Sequence, residues 1–504
     1  MAVKIILLIL FFGVMMGVGV YARKHATDVN GFVLGGRSVG PWLAAFAYGT
    51  SYFSAVVFVG YAGQFGYKYG LASTWIGIGN AVLGSLVAWV VLGRRTRIMS
   101  KHLGSMTMPD FFGKRYDSQS LRIAASVIAF IFLIPYTASV YNGLSYLFGM
   151  AFDVDFRICV VVMAVLTGVY VIIGGYMATA WNDLIQGIIM LFGIVAVIAA
   201  VLSGHGGFMA AGKELAQGPS SVMPGAYASF LGPDPANLFG VVILTSLGTW
   251  GLPQMIQKFY AIKDEKAVHT GTIISTLFAI VVSGGCYFLG GFSRISGVKE
   301  AVDGTVKYDT IIPTMLSSLP DILIGIVIVL VLSASMSTLS SLVLTSSSTL
   351  TLDFIKPLFV KKMNEKQQLV WMRVLLAGFI LISVVIALDP PAFIAQLMGI
   401  SWGALAGAFL APFLYGLYWK GVTRAAVWAS FICGVGITVA NMFFRFIASP
   451  INAGAFAMVA GLVIVPVVSL ISPKLKKETV EDVFHCLEEK VMVEQKLALP
   501  EEEE

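Results

Sequence analysis

The sequence predicts an all-α polytopic membrane protein, and three observations carry that prediction: scarce charge, long apolar runs and one-sided lysine and arginine. Of its 504 residues, 58% are hydrophobic and only 12% are charged; the mean hydropathy is +0.86. A soluble domain carries about 25% charged residues, so this chain is not made to be covered by water. Its net charge of +6 is modest, and the placement of that charge matters more than its size. Cys159, Cys286, Cys433 and Cys486 lie far apart without metal-ligand spacing. They read as small buried hydrophobes, in place of a disulfide framework or a zinc site.

A bilayer core takes roughly 20 apolar residues of helix, and about thirteen such stretches follow one another here. They are 3–22, 41–66, 71–93, 121–149, 156–175, 180–203, 237–258, 268–293, 321–350, 369–388, 392–418, 423–444 and 453–472. The first is followed by Arg23 and Lys24 and closed by no small-residue cleavage site, so it reads as a retained span. Roughly 25 of the 33 basic residues fall on the side shared by the 1–2, 3–4, 7–8 and 9–10 loops and the tail. The 3–4 loop alone holds Arg94, Arg95, Arg97, Lys101, Lys114 and Arg115. That side is expected to be the cytoplasm, with the N-terminus outside, the C-terminus inside and the lipid bilayer of the cell (inner) membrane between them. The basic patch is a topology signal, and no nucleic-acid partner is expected. In the charged tail, 474–504, Val480, Val483, Phe484, Leu487 and Val491 recur at helical spacing. They allow an amphipathic helix, although a solvated tail without chemistry of its own is the simpler expectation.

Charges inside membrane helices are expensive and usually functional, yet the middles of the second, seventh and ninth spans contain none. A proton-driven carrier would normally need a buried Asp, Glu or His relay, and its absence there weakens that reading. The spans carry glycine breaks and neutral oxygens instead. The second reads Tyr48-Gly49-Thr50-Ser51-Tyr52-Phe53-Ser54, then Gly60 and Gly63; the seventh reads Thr245-Ser246-Leu247-Gly248-Thr249-Trp250-Gly251-Leu252-Pro253-Gln254. Glycine and proline in mid-membrane let a helix unwind and free its carbonyls. In inverted-repeat transporters the interrupted helix recurs in both halves, and the site lies there. Spans two to six and seven to eleven would be those halves. The alternative is that the glycines only permit close packing.

The ninth span runs Ser333-Ala334-Ser335-Met336-Ser337-Thr338-Leu339-Ser340-Ser341 and stays rich in hydroxyls to Thr349. Residues 334, 337, 338 and 341 share one helix face. The Ala334 carbonyl and the Ser337, Thr338 and Ser341 hydroxyls on it are the ligands a hard cation prefers. The competing reading is that these hydroxyls bond their own helix four residues back and bind nothing.

At these residues the chain resembles the sodium:solute symporter family, from about residue 30 to 470. Leu34-Gly35-Gly36-Arg37-Ser38-Val39-Gly40-Pro41-Trp42 is similar to the family's loop before the first core helix, above all in proline permeases. Gly174-Gly175-Tyr176-Met177-Ala178-Thr179-Ala180-Trp181-Asn182-Asp183-Leu184-Ile185-Gln186 looks like its GG-x-x-A-x-x-W-x-D-x-x-Q signature, and Met336-Ser337-Thr338-Leu339-Ser340 matches its sodium-site helix. The resemblance implies an inverted-repeat, LeuT-like 5+5 core over 31–418. Residues 1–30 would hold the first helix and the start of a loop, and 419–473 two peripheral spans. It also implies a sodium site between the second and ninth spans: backbone carbonyls of Thr50, Phe53 and Ala334, and hydroxyls of Ser337 and Thr338. Asp183 would stand at the cytoplasmic mouth, where sodium leaves, unless it merely caps the following helix.

Tyr136 matches an aromatic near the family's solute, and Tyr52, Gln64, Thr245, Thr249, Trp250 and Gln254 are further candidate solute contacts. Proline permeases carry an aspartate at Tyr52 and an aromatic pair at Thr245 and Thr249, so proline is a doubtful solute here. Other members carry sugars, monocarboxylates, pantothenate, sialic acid or urea. The function expected is sodium-coupled uptake of a small organic solute, with Na+ as coupling ion, no cofactor and no enzymatic activity. A proton-coupled or uniport carrier of the same fold, for a sugar, carboxylate or vitamin, is the alternative. Gly207-Phe208-Met209-Ala210-Ala211-Gly212-Lys213-Glu214 imitates a phosphate loop but ends in Glu where Ser or Thr is needed, in a predicted external loop.

Overall fold

The computed structural model describes residues 2–498, apart from 23, 25, 219, 221, 298–305 and 392. Almost every described stretch is helical, as a bilayer requires: with no water in the core, only intrahelical bonding satisfies the backbone. Ten described helices are long and apolar enough to cross a membrane, or eleven if the bent pair Pro235–Gly251 and Pro253–Ala261 is one span. The difference from about thirteen has identifiable causes. The second span stops at Tyr52 after only 12 residues, and the rest of it runs on into the third as one 47-residue stretch, Val56–His102.

The fifth and sixth predicted spans form one run, Phe156–Gly204, whose only non-helical residue is Gly175 at φ 56° and ψ −155°. An L-residue pays for that left-handed φ, and a Cβ there would stand 2.9 Å from the Phe32 ring.

Two kinds of interface hold the second span. Against the eighth, Glu265–Gly291, the Phe278 ring packs on Phe46 and Phe53, and beyond the break the contact is backbone to backbone: a Cβ on Gly66 would collide with the Gly290 carbonyl, and one on Gly290 with that of Ala62. Further along, Gly77 of the third span meets the Gly284 Cα of the eighth, with 2.6 Å left for a Cβ. Against the ninth, Asp321–Thr349, contact is polar: Ser51 Oγ lies 2.7 Å from Ser341 Oγ, and the Ala55 N–H donates to Ser335 Oγ at 3.3 Å.

Basic residues gather at one end of the bundle, where they tie loops to helix ends. Arg115 donates to the Gly416 and Trp419 carbonyls, Arg95 to that of Leu417, and Arg94 pairs with Glu265 at 2.8 Å. The tail is not left in solvent there. Lys477–Ala498 is a helix that buries Val480, Val483 and Phe484, and the Asp482 carbonyl lies 2.9 Å from His102 Nε2. Leu487 is half-buried against the same core, and the Val491 side chain lies outside the described residues.

At the opposite end, Lys4 joins the first helix to the ninth span through Asp321 at 3.0 Å. Asp309 accepts the Ile394 N–H at 3.2 Å and so caps the Ile394–Tyr418 helix. Burial pushes its carboxyl up to about 6, and the bond from Ile394 only partly offsets that.

Candidate functional site

The second span breaks at Phe53, not at a glycine. Pro41–Tyr52 ends there in extended backbone (φ −107°, ψ 116°), and the chain restarts under Ser54, whose carbonyl accepts the Val57 and Phe58 N–H groups, each at 3.0 Å. A helix end leaves the carbonyls of its last turn without intrahelical donors. Gly49 O takes the Phe53 N–H at 3.3 Å. The next two carbonyls, of Thr50 and Ser51, each lie 3.4 Å from the Thr338 hydroxyl, which also stands 3.1 Å from Ala334 O. One hydroxyl can donate to only one of them, so three carbonyl oxygens converge there with more acceptor capacity than the protein fills. The Thr50 hydroxyl itself is turned back to Phe46 O at 2.7 Å.

The seventh span breaks where its proline predicts. A 3-10 turn, Gly248–Gly251, leads to Leu252 in extended backbone, Pro253 opens the next helix, and the two parts are bent by 48°. The glycines serve as notches: a Cβ on Gly248 would meet the Trp402 ring at 2.5 Å, and one on Gly251 the Ala406 Cα at 2.7 Å. Close packing is thus their role, and the breaks lie beside them.

Ser337 Oγ is buried, makes no hydrogen bond and faces the Asp183 carboxylate. Asp183 is wholly enclosed, with neither oxygen accepting a hydrogen bond, and Lys258 Nζ stands 3.8 Å away. In this structure the bundle is closed around Asp183. Lys258 itself is missed by the sequence reading, because it falls at the last residue of the predicted span, where a lysine ordinarily snorkels to the interface.

Among the candidate solute contacts, Tyr52 and Thr245 are brought together, the Tyr52 hydroxyl donating to the Thr245 carbonyl. The Tyr52 ring stacks on Trp402 at 5.9 Å, and Tyr136 meets the other edge of that indole at 5.8 Å. Thr249 donates to Gly84 O and Trp250 to the neighbouring Leu83 O, at 3.2 and 3.0 Å. The Thr245 hydroxyl is turned to Val241 O at 2.9 Å. Gln64 Oε1 and both amide atoms of Gln254 are buried without a hydrogen-bond partner among the described residues. Trp402, Tyr61 and Tyr287 belong to the same cluster as Tyr52 and Tyr136. Trp402 and Tyr287 come from other spans, for which sequence spacing gives no cross-span register, while Tyr61 lies on the second span itself, beyond its break.

The basic end carries a further closed network. Asp353 is fully buried, accepts from Arg122 at 2.8 Å and from the Thr107 hydroxyl, while Arg122 also reaches Asp110 at 3.1 Å. Outside the spans, Arg37 bonds Ser100, Ser105 and the Tyr260 carbonyl, and burial holds its guanidinium below the ordinary arginine value.

A multi-pass helical bundle with two interrupted spans, one of which turns carbonyls toward a hydroxyl-rich third, defines a membrane transport protein of the broken-helix class. The chain belongs to the sodium:solute symporter family, whose profile matches residues 32–434. The sodium/proline symporter of Staphylococcus aureus is 28% identical over 488 residues, covering 94% of this chain and 93% of that protein. Among solved structures, a Na+-coupled sialic acid symporter in a substrate-bound outward-open state superposes with a TM-score of 0.75 at 17% identity, over 94% of this chain and 99% of that one. A nucleobase-cation-symport-1 family transporter in a closed conformation reaches 0.53 at 14%, over 90% and 97%. The fold is the LeuT-like one of these neighbours.

Proposed function

We propose that the protein takes up a small organic solute together with sodium by alternating access. The observation that carries this reading is the meeting of the Thr338 hydroxyl with the Thr50, Ser51 and Ala334 carbonyls at the break of the second span. Sodium held by Thr50, Phe53, Ala334, Ser337 and Thr338 would bridge the second and ninth spans and favour an outward-open state. The basic end faces the cytoplasm, where the Arg122–Asp353 and Asp183–Lys258 pairs close the path. One charge crossing about 100 mV contributes roughly 2.3 kcal/mol, and a tenfold sodium gradient adds about 1.4 kcal/mol. One ion per cycle therefore sustains a solute gradient of roughly 500-fold.

Solute binds beside the Tyr52–Trp402–Tyr136 group, whose phenols and indole carry no charge. The hydrogen bond between Tyr52 and Thr245 joins two of the three positions at which the chain departs from proline permeases. With no carboxylate at Tyr52 to pair an ammonium, the pocket favours a solute recognised by ring faces and neutral hydrogen bonds over proline. The test is the melting temperature of the purified protein with proline, monosaccharides and monocarboxylates, in sodium and again in potassium. A solute that stabilises only in sodium supports the reading; equal stabilisation in both salts overturns sodium coupling in favour of a proton-driven carrier or uniporter.

A further inference from the structure

Lys258 and Asp183 form an ion pair inside the bundle, with side chains 3% and 0% exposed. Isolating either charge there would be costly, because a buried ion is tolerated only with its countercharge. The pair is nevertheless loose. At 3.8 Å the ammonium is within ion-pair reach of Asp183 Oδ2 but beyond a hydrogen bond. Its short contact is to Ser341 Oγ at 2.9 Å, and the Tyr176 ring lies 5.1 Å from it. Ser341 Oγ in turn touches Ser51 Oγ at 2.7 Å. Asp183 keeps both oxygens free of hydrogen bonds, as does the Ser337 hydroxyl that faces it.

The ammonium thus stands between one carboxylate and the Ser341 hydroxyl, with Ser51 behind the hydroxyl and Ser337 at the carboxylate, and oxygens of these kinds suit a small hard cation. Ser337 belongs to both neighbourhoods: one side serves the sodium site proposed above, on which this inference rests, and the other faces Asp183. A lysine ammonium and a sodium ion carry the same charge, so either one neutralises Asp183, and the two would repel if both were held there. A tethered cation is always present and needs no recruitment from solution.

We propose that Lys258 is a tethered cation standing in the place at Asp183 that a second sodium would otherwise take, so that this protein binds a single sodium per cycle. Sodium leaving Ser337 for the cytoplasm passes Asp183 by displacing the ammonium toward Ser341, and the carboxylate is never bare.

The test is equilibrium binding of radioactive sodium to the purified full-length protein in nanodiscs. Lys258→Met keeps the length of the side chain and removes its charge; it is expected to bind one more sodium per chain than the wild type. Adding Asp183→Asn should abolish that extra ion, and Lys258→Arg should restore the wild-type count. An unchanged count in Lys258→Met overturns the proposal, as does an extra ion that survives Asp183→Asn. Lys258→Gln, which keeps a donor for Ser341, gives the same comparison should the Met variant fail to fold. The sodium site itself is judged separately: Ser337→Ala with Thr338→Ala should remove the wild-type ion. If it does not, the site reading fails, while the difference made by Lys258 still stands or falls on its own.

Discussion

Replacing Thr338 by valine isolates one oxygen at constant shape. In the folded protein the hydroxyl stands 3.1 Å from Ala334 O, four residues back on its own helix, and 3.4 Å from Thr50 O and Ser51 O. Valine removes the donor and leaves carbonyls of which one already accepts a helical N–H, so the loss of folding stability should stay near 1 kcal/mol. Sodium would lose one ligand of five. An interaction between a neutral dipole and a charge contributes about 1.5–3 kcal/mol, and every 1.4 kcal/mol is a factor of about ten. Sodium affinity should therefore fall roughly 10- to 100-fold. The assay is the melting temperature against sodium at constant ionic strength, with potassium as the balancing salt. A ligand at 100 times its Kd stabilises by about 2.7 kcal/mol, and the same concentration after a 30-fold loss of affinity by less than about 1 kcal/mol. A variant that folds and keeps the wild-type sodium response would refute a site at Thr338.

Three other expectations follow from named contacts. Because burial holds the Asp309 carboxyl at about 6, the folded chain keeps a proton that the unfolded chain has already lost between about pH 4 and 6. Stability from this group falls as pH rises through that window and stays low above it. Asp309→Asn, which keeps an acceptor for the Ile394 N–H, should cancel that slope and raise stability at pH 7 by about 2 kcal/mol; a difference from wild type that is flat from pH 4 to 7 contradicts this. Gly66→Ala should lower stability by more than about 2 kcal/mol, since the Gly290 backbone cannot yield, whereas Gly17→Ala, with open space around it, should change it by under about 0.5 kcal/mol. Equal melting temperatures for the two would dismiss the backbone contact. Phe484→Ala should free the tail helix, because that ring is buried beneath Arg115 at 5.0 Å and Lys420 at 5.6 Å. Trypsin should then cut at Lys474–Lys477 faster, with little change in the melting of the bundle; an unchanged rate of cutting would show that the ring does not hold the tail.

Hydropathy made the spans legible because a bilayer imposes length and composition on each helix separately. It did less well at breaks. Pro253 cannot donate, so its break was readable, but at Phe53 no residue is forbidden from helix; what ends it is the restart under Ser54 and the pull of a facing span. Lys258 was hidden for the opposite reason: composition treats a lysine at a span end as solvated, and only tertiary structure shows Asp183 beside it. Gln254 and Lys258 lie four residues apart on one face of the bent segment, the one local sign that a polar face continued inward. The Tyr52–Trp402–Tyr136 group required knowing how three spans stack. The tail was legible in its spacing, and its docking was not, since the partner surface around His102 and Arg115 comes from another part of the chain.

The two unlike interfaces of the second span have a mechanical meaning. Where Gly66 meets Gly290 there is no side chain to compress or rotate, so the second and eighth spans are welded into a single stiff plank. Where the second span meets the ninth, hydroxyls can exchange one oxygen for another at small cost, as between lubricated plates. A shear imposed on the bundle would be taken up along that hydroxyl seam and would leave the weld intact. Thr338 sits on the seam, so the proposed ion would act there as a removable pin between two bodies, needing no force beyond its own affinity to hold them in register.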